Sequence, residues 1–355
     1  MAFKVERITL DSARDKIDVA NNLSKSGLKI ELPQDKWIKK ITMFLKGQYD
    51  TSAASTANED NPHSLIDKVR LVVNGKAIRT TDFAMQHYQN IYDYKGIVPS
   101  RYKTSAGGAV NNQLFRAVAA LDFATDPLAD NNFYEANNAL LPAHELSSLA
   151  LEIDTKAVAD LGTNLTLDNA EFFVALEQVS MDRETEKNLY GDKREKLWMI
   201  LQSMSDKKID ASYSNYQFTQ DLPVGNILRR SLIKAIDNGA RSDSIISSFR
   251  TRVPVAFIED QWKWDVAQED DRIGLGLGKL TNLGEIEASA VTGIIPTIKG
   301  LVMNDYKDLG FINATSLRKG AVVWEANTGN PTGTSKVVML HEELAQANAA
   351  LQALR

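Results

Sequence analysis

The chain has 355 residues, 43% hydrophobic and 25% charged, with 20 Gly and 9 Pro, a globular composition long enough for two domains that each bury a core. Its formal charge of −5 argues against a surface built to neutralise a phosphate backbone, so no direct sequence-specific nucleic-acid binding is expected. The absence of cysteine excludes disulfide frameworks, thiolate metal sites and cysteine nucleophiles. The opening Met-Ala-Phe-Lys-Val-Glu-Arg lacks the apolar core of a signal peptide, and no run of about 18 apolar residues could span a membrane. Synthesis in the host cytoplasm is the expectation.

Period-two alternation dominates in chain order, the mark of strands with one buried face. Strands are predicted at Leu28 to Leu32 and at Ile38 to Lys46, where Ile41, Met43 and Leu45 share a face. A polar loop is expected from Gln48 to His63. The next strand, Ile66 to Val73, aligns Val69, Leu71 and Val73 and ends at a turn, Asn74-Gly75. Thr81 to Tyr94 reads as a helix with a Thr-Asp cap and Phe83, Ala84, His87, Tyr88 and Ile91 along one side. After a loop at Ser105 to Asn112, strands are predicted at Phe115 to Phe123, at Ser147 to Asp154 with Leu149, Leu151 and Ile153 on one face, and at Glu171 to Val179. Alternating charge between Asp182 and Lys196 reads as a solvated connector, with a short helix as the alternative. Beyond it come Leu197 to Gln202, Ile227 to Ile236 with a turn at Asp237-Asn238-Gly239, Ile245 to Ile258, Ala321 to Ala326 and Lys336 to His341. Leu344, Ala347, Leu351 and Leu354 recur at helical steps near the end.

One pattern occurs twice. A strand, a loop, a second strand ending in a turn, and an aromatic segment (Phe83, Tyr88, Tyr92, Tyr94) recur half the chain later, where the aromatics are Trp262 and Trp264. The division is an N-terminal domain at 1–181, a charged connector at 182–196, a C-terminal domain at 197–340 and a C-terminal helix at 341–355. Each half holds about seven to nine short strands with long excursions, the pattern of a sandwich or jelly roll. Such a repeated building plan points to a structural protein rather than to an active site.

No catalytic, cofactor-binding or metal-binding residues are predicted, and the protein is not expected to be an enzyme. None of His63, His87, His144 and His341 stands at metal-ligand spacing from another. His341-Glu342-Glu343-Leu344-Ala345 starts like a zinc-protease helix but has Ala where the second His must stand. His87 is expected beside the aromatic rings of its helix and the other three at the surface. The Gly274-Leu-Gly276-Leu-Gly278-Lys279 run is followed by Leu280 where a phosphate loop needs Ser or Thr, and reads as a bent or edge strand. Glu259-Asp260 and Glu269-Asp270-Asp271 do not follow a calcium-loop order and read as solvated loops. Trp262 and Trp264 would face one side of an extended strand, as in a sugar-stacking platform. Burial in a sandwich or between subunits is the blander reading for a large ring with one polar handle.

The order of features resembles the double jelly-roll major capsid proteins of tailless icosahedral viruses, the tectivirus and corticovirus lineage that also includes archaeal viruses. The resemblance is carried by Asp67 to Gly75 ahead of Thr80-Thr-Asp-Phe83 and its helix, by Leu140 to Ile153, and by Arg250 to Ile258. It implies an all-β chain of two tandem eight-stranded jelly rolls with a few short helices and a C-terminal helix, no cofactor, and a shell-forming function in the virion. Three chains would form a trimer of pseudo-hexagonal outline that tiles an icosahedral capsid. The partners implied are the chain itself and neighbouring trimers, penton and minor capsid proteins, and an internal membrane. Loops such as Gln48 to His63 and Thr104 to Asn112 would be outer towers or contacts between chains, and the C-terminal helix a contact beneath the shell or with a neighbour. The family's membrane-touching terminal helix is commonly basic, whereas His341 to Leu354 carries two Glu and no Lys, so direct bilayer contact is not expected. The alternative function is a carbohydrate-binding or adhesive β-sandwich, such as a phage spike component, resting on Trp262 and Trp264.

Overall fold

In a computed structural model of the chain, the alternation appears as strands that bury one side chain in two. The residues described are 3–10, 16–20, 23–56, 60–94, 106–128, 132–209, 215–253, 258–275, 291–299 and 311–354. Two compact units are present. The first comprises 1–90, 98–201 and 345–355, and the second 91–97 and 202–344. The units are thus discontinuous in sequence, whereas division at a single connector had been expected.

The strands of the first unit are β1 (Phe3–Leu10), β2 (Ile17–Asp18), β3 (Lys25–Glu31), β4 (Trp37–Thr51), β5 (Ile66–Val73), β6 (Lys76–Thr81), β7 (Val110–Asp122), β8 (Leu141–Pro142), β9 (Leu149–Thr155) and β10 (Leu165–Met181). Helix α1 (Phe83–Asp93) follows β6, and α2 (Arg183–Tyr190) follows β10. One sheet has the order β1-β10-β4-β7, and a second runs β6-β5-β9-β3. Their inward faces supply one core. Ile41, Met43 and Leu45 of β4 and Leu71, Val73, Leu151 and Ile153 of β5 and β9 are all fully buried in it.

The second unit contains β11 (Trp198–Ile209), whose first four residues belong to the first unit. It continues with β12 (Gln217–Asp221), β13 (Ile227–Asp237), β14 (Ala240–Arg241), β15 (Ile246–Val253), β16 (Ile258–Lys263), α3 (Trp264–Leu275), β17 (Ile294–Lys299), β18 (Ile312–Asn313), β19 (Val323–Thr328) and β20 (Ser335–Gln346). Strands β11, β20, β13 and β17 neighbour one another in that order, and β12-β19-β15-β16 form the other sheet. Trp324 lies at the centre of this core, with ring centroids 5.6 Å from Phe218 and 6.2 Å from Phe249.

The two orders correspond strand for strand: β1-β10-β4-β7 to β11-β20-β13-β17, and β3-β9-β5-β6 to β12-β19-β15-β16. In each unit the last two strands of the second sheet form a hairpin that leads into a helix, β5-β6 into α1 and β15-β16 into α3. Each unit is an eight-stranded jelly roll, and the chain is an all-β double jelly roll with four α-helices among the described residues. The shorter strands are additions that differ between the rolls.

Several local expectations need correction. The loop predicted from Gln48 begins at Ser52, because alternation continues through Tyr49 and Thr51, both buried, and β10 accommodates the extension by a register shift between Leu167 and Asn169. Asp182–Lys196 follows the alternative reading of a short helix, with its charges mostly at the surface. Its α2 is capped by the Asp182 carboxylate, which accepts from Thr185 N at 2.7 Å, and it buries Leu189 and Tyr190. Of its charges, Arg194 is partly buried and bonds both Glu145 and Glu186, whereas Arg183, Glu184, Lys187, Asp192, Lys193, Glu195 and Lys196 stay exposed. The C-terminal helix, expected at 341–355, is shorter: α4 spans Ala347–Leu354. Residues 341–346 continue strand β20, which pairs with β13 as far as Leu344, Glu342 opposite Arg230 and Leu344 opposite Ile227. The strand predicted through Ile258 stops at Val253, and residues 254–257 lie outside the described set.

Candidate functional site

Three of the histidines fall into two buried groups, and His144 alone is exposed, as expected, 5.1 Å from the Trp37 ring. His63 is fully buried and His87 6% exposed, with ring centroids 4.2 Å apart. A neighbouring fold element explains both. Helix α1 lies along the β7 edge and supplies side chains where a further strand would have supplied backbone. Gln86 donates to Ala120 O at 2.7 Å, and Asn90 accepts from Ala120 N at 2.7 Å and donates to Ala120 O at 3.0 Å. His87 Nδ1 and His63 Nε2 lie 3.2 and 3.4 Å from Val118 O, and Arg79 donates to Asp122 O at 2.7 Å. These imidazoles are parts of an edge seal. His87 packs beside Tyr88 as expected, whereas the surface position expected for His63 does not hold.

His341, also expected at the surface, is 2% exposed. On β20 it faces inward, with Nε2 2.8 Å from Ser205 Oγ and Nδ1 2.9 Å from Ser231 Oγ. Burial depresses its pKa to about 4, so the ring is neutral near pH 7. The following residue, Glu342, points the other way, forms a buried ion pair with Arg229, and accepts from Gln202 Nε2 at 3.2 Å. Arg230 likewise pairs with Asp93 at 2.5 Å in the same unit. Buried charges so expensive to desolvate persist only when paired, and these tie β13 to β20 and to α1. They fix that sheet rather than form an active site.

The two tryptophans do not make a platform. Strand β16 ends at Lys263 and α3 begins at Trp264, so the pair is not on one extended face. Trp264 is 2% exposed, with Nε1 3.3 Å from Asp243 Oδ1, and Trp262 packs against the same core. Glu269-Asp270-Asp271, read from sequence as a loop, lies within α3, with Asp271 buried. Gly274 also belongs to α3 rather than to a bent strand, and residues 276–280 lie outside the described set. Glu259 and Asp260 lie on β16. Among the described residues no group of three or more His, Asp or Glu could hold a metal ion, and no helix is long and apolar enough to cross a membrane.

What remains are surfaces. Among the described residues β1 pairs only with β10, and β16 only with β15, so each ends its sheet. Both edges carry charge, Lys4, Glu6 and Arg7 on β1 and Lys263 on β16, which discourages unspecific pairing while leaving a directed contact available. The outward face of β12-β19-β15-β16 is polar and holds a shallow depression, whose centre is Glu325 between Arg250 and Arg252. Sequence reading missed this arrangement because its members, on four strands, are brought together only by register.

No protein-family model matches the sequence, and no curated protein matches it. Solved structures do. The chain is similar to the major capsid protein of Sulfolobus turreted icosahedral virus, with 14% identity, a TM-score of 0.72 and 99% of each chain covered. It is also similar to the major capsid protein of bacteriophage PM2, at 14% identity and a TM-score of 0.54 over 97% of this chain and 99% of that one. A third likeness, to the capsid of the virus PBCV-1, has 9% identity and a TM-score of 0.56 over 97% and 94%. The fold is therefore that of double jelly-roll capsid proteins over nearly the full length of the chain.

Proposed function

We propose that this chain is the major capsid protein of an icosahedral virus and acts by assembly rather than turnover. The observation that carries the reading is the strand-for-strand repetition of one jelly roll within a chain that matches a capsid protein end to end. Two similar rolls in one chain give a trimer six similar corners, which is what tiling a nearly hexagonal footprint requires. Contacts between chains would bury apolar and aromatic surface, and weaker polar edges between trimers would allow reversible docking into a closed lattice. The charged edges β1 and β16 fit the second kind of contact. Further partners in this reading are penton and minor capsid proteins, the protein resides in the virion shell, and synthesis and assembly occur in the host cytoplasm.

Light scattering on the purified protein tests the reading. A stable species of three times the 39.3 kDa chain mass is expected, and a monomer at micromolar concentration would overturn the trimer.

A further inference from the structure

The depression on the outward face of β12-β19-β15-β16 measures about 170 Å³ and is lined by Gln217, Ser248, Arg250, Gln261, Glu325 and Asn327. Phe249 and Ala326 also border it, but their side chains belong to the core, so the ligand-facing chemistry is polar. Register explains the clustering. Arg250 lies opposite Glu325 on one side and Gln261 on the other, while Asn327 lies opposite Ser248 and Gln217.

Glu325 organises the group. Its Oε2 accepts from Arg250 Nε at 2.5 Å and from Gln217 Nε2 at 3.1 Å, and its Oε1 from Arg252 Nη1 at 2.7 Å. Asn327 in turn donates to Ser248 Oγ at 2.9 Å. These bonds hold the lining in place before any ligand arrives, which lowers the ordering cost of binding. Within the depression Arg250 and Glu325 offset each other in charge, so the lining does not select an ion. Three carboxamides and a hydroxyl each combine donor and acceptor, as sugar hydroxyls do. The volume admits one ring.

We propose that this face binds a single neutral monosaccharide unit, the terminal sugar of a glycan, through Gln217, Ser248, Gln261 and Asn327. The site is shallow and has no stacking ring, so one copy binds weakly, with Kd in the millimolar range. Many copies on one particle, as the capsid reading supplies, would raise the avidity by orders of magnitude. Binding by the isolated protein does not depend on that reading.

Saturation-transfer NMR on the full chain with glucose, galactose, mannose and N-acetylglucosamine at millimolar concentration is the test. Transfer to at least one sugar is expected, falling about five-fold or more in Gln261→Ala and in Asn327→Ala, neither of which touches the Glu325 clamp. Gln261 is exposed, and an unchanged melting temperature confirms that its variant folds. Absence of transfer to every sugar, transfer unaffected by both substitutions, or binding confined to anionic sugars and sulfate would each overturn the proposal.

Discussion

Gly47 shows how one position sets the spacing of a sheet. It sits in β4 opposite Ala170, and a Cβ there would lie 2.8 Å from Ala170 Cα and 2.8 Å from Phe115 Cε1, and closer still to Asn169 O. Two of these atoms are backbone of the neighbouring strand, so no rotamer change relieves the clash. Gly47→Ala is therefore expected to destabilise the first roll by about 2 kcal/mol, read as a lower urea midpoint; a midpoint equal to the parent's would refute the account. His341 makes a different residue-scale prediction. In the unfolded chain it takes up a proton near pH 6.5, while the folded protein resists until about pH 4. Stability is thus full above pH 6.5, declines as the pH falls towards 4, and levels off below. The slope from this group approaches about 1.4 kcal/mol per pH unit between those limits. His341→Gln keeps hydrogen-bonding capacity towards Ser205 and Ser231 and should lose that part of the slope, measured by urea unfolding at a series of pH values. An identical slope in the variant would show that burial of this imidazole does not govern the acid limb.

At the scale of elements, the helices complete sheets that strands alone leave unfinished. Helix α1 seals the β7 edge from Val118 to Asp122 with Gln86, His87 and Asn90. Helix α4 closes the first roll from the far end of the chain. It buries Ala347 and Leu351 in that core, Gln346 donates to Glu195 O at 2.6 Å at its start, and Lys76 donates to Ala353 O at 2.5 Å at its end. A cation on the last carbonyls suits both their unpaired acceptors and the helix dipole. The same burial argues against α4 as a free arm for a neighbour. Deleting residues 347–355 is expected to cost the first roll about 2–4 kcal/mol, by analogy with large-to-small losses in cores, and to lower its unfolding midpoint. Unfolding indistinguishable from the full chain would mean that the helix is an ornament. Much of this scale was legible in the sequence: β5 matches its predicted limits, and the buried faces of β4, β5 and β9 are those the alternation marks. The sequence misleads where charge is internal. Arg194 and Glu186 read as solvent-facing, yet they bond one another, and Arg194 also bonds Glu145, beside a buried Tyr190.

For the whole molecule, alternation, turn chemistry and the recurrence of one pattern determine an all-β chain built twice, because a strand buried on one face must write its burial into every second residue. The expected light-scattering mass of a trimer belongs to this scale, as six similar rolls are its premise. Only the tertiary structure decides which strands are neighbours and where the two units divide. Strand neighbours are chosen by long-range pairing that leaves no mark in local composition, so residues 345–355 join the first unit and 91–97 the second. The same holds for chemistry. His63 and His341 read alike in sequence as surface residues, and their burial is set by α1 and by the register of β20 against β13. The Glu325 clamp exists because pairing brings Gln217 and Arg250, 108 and 75 residues away in sequence, within hydrogen-bond distance of Glu325.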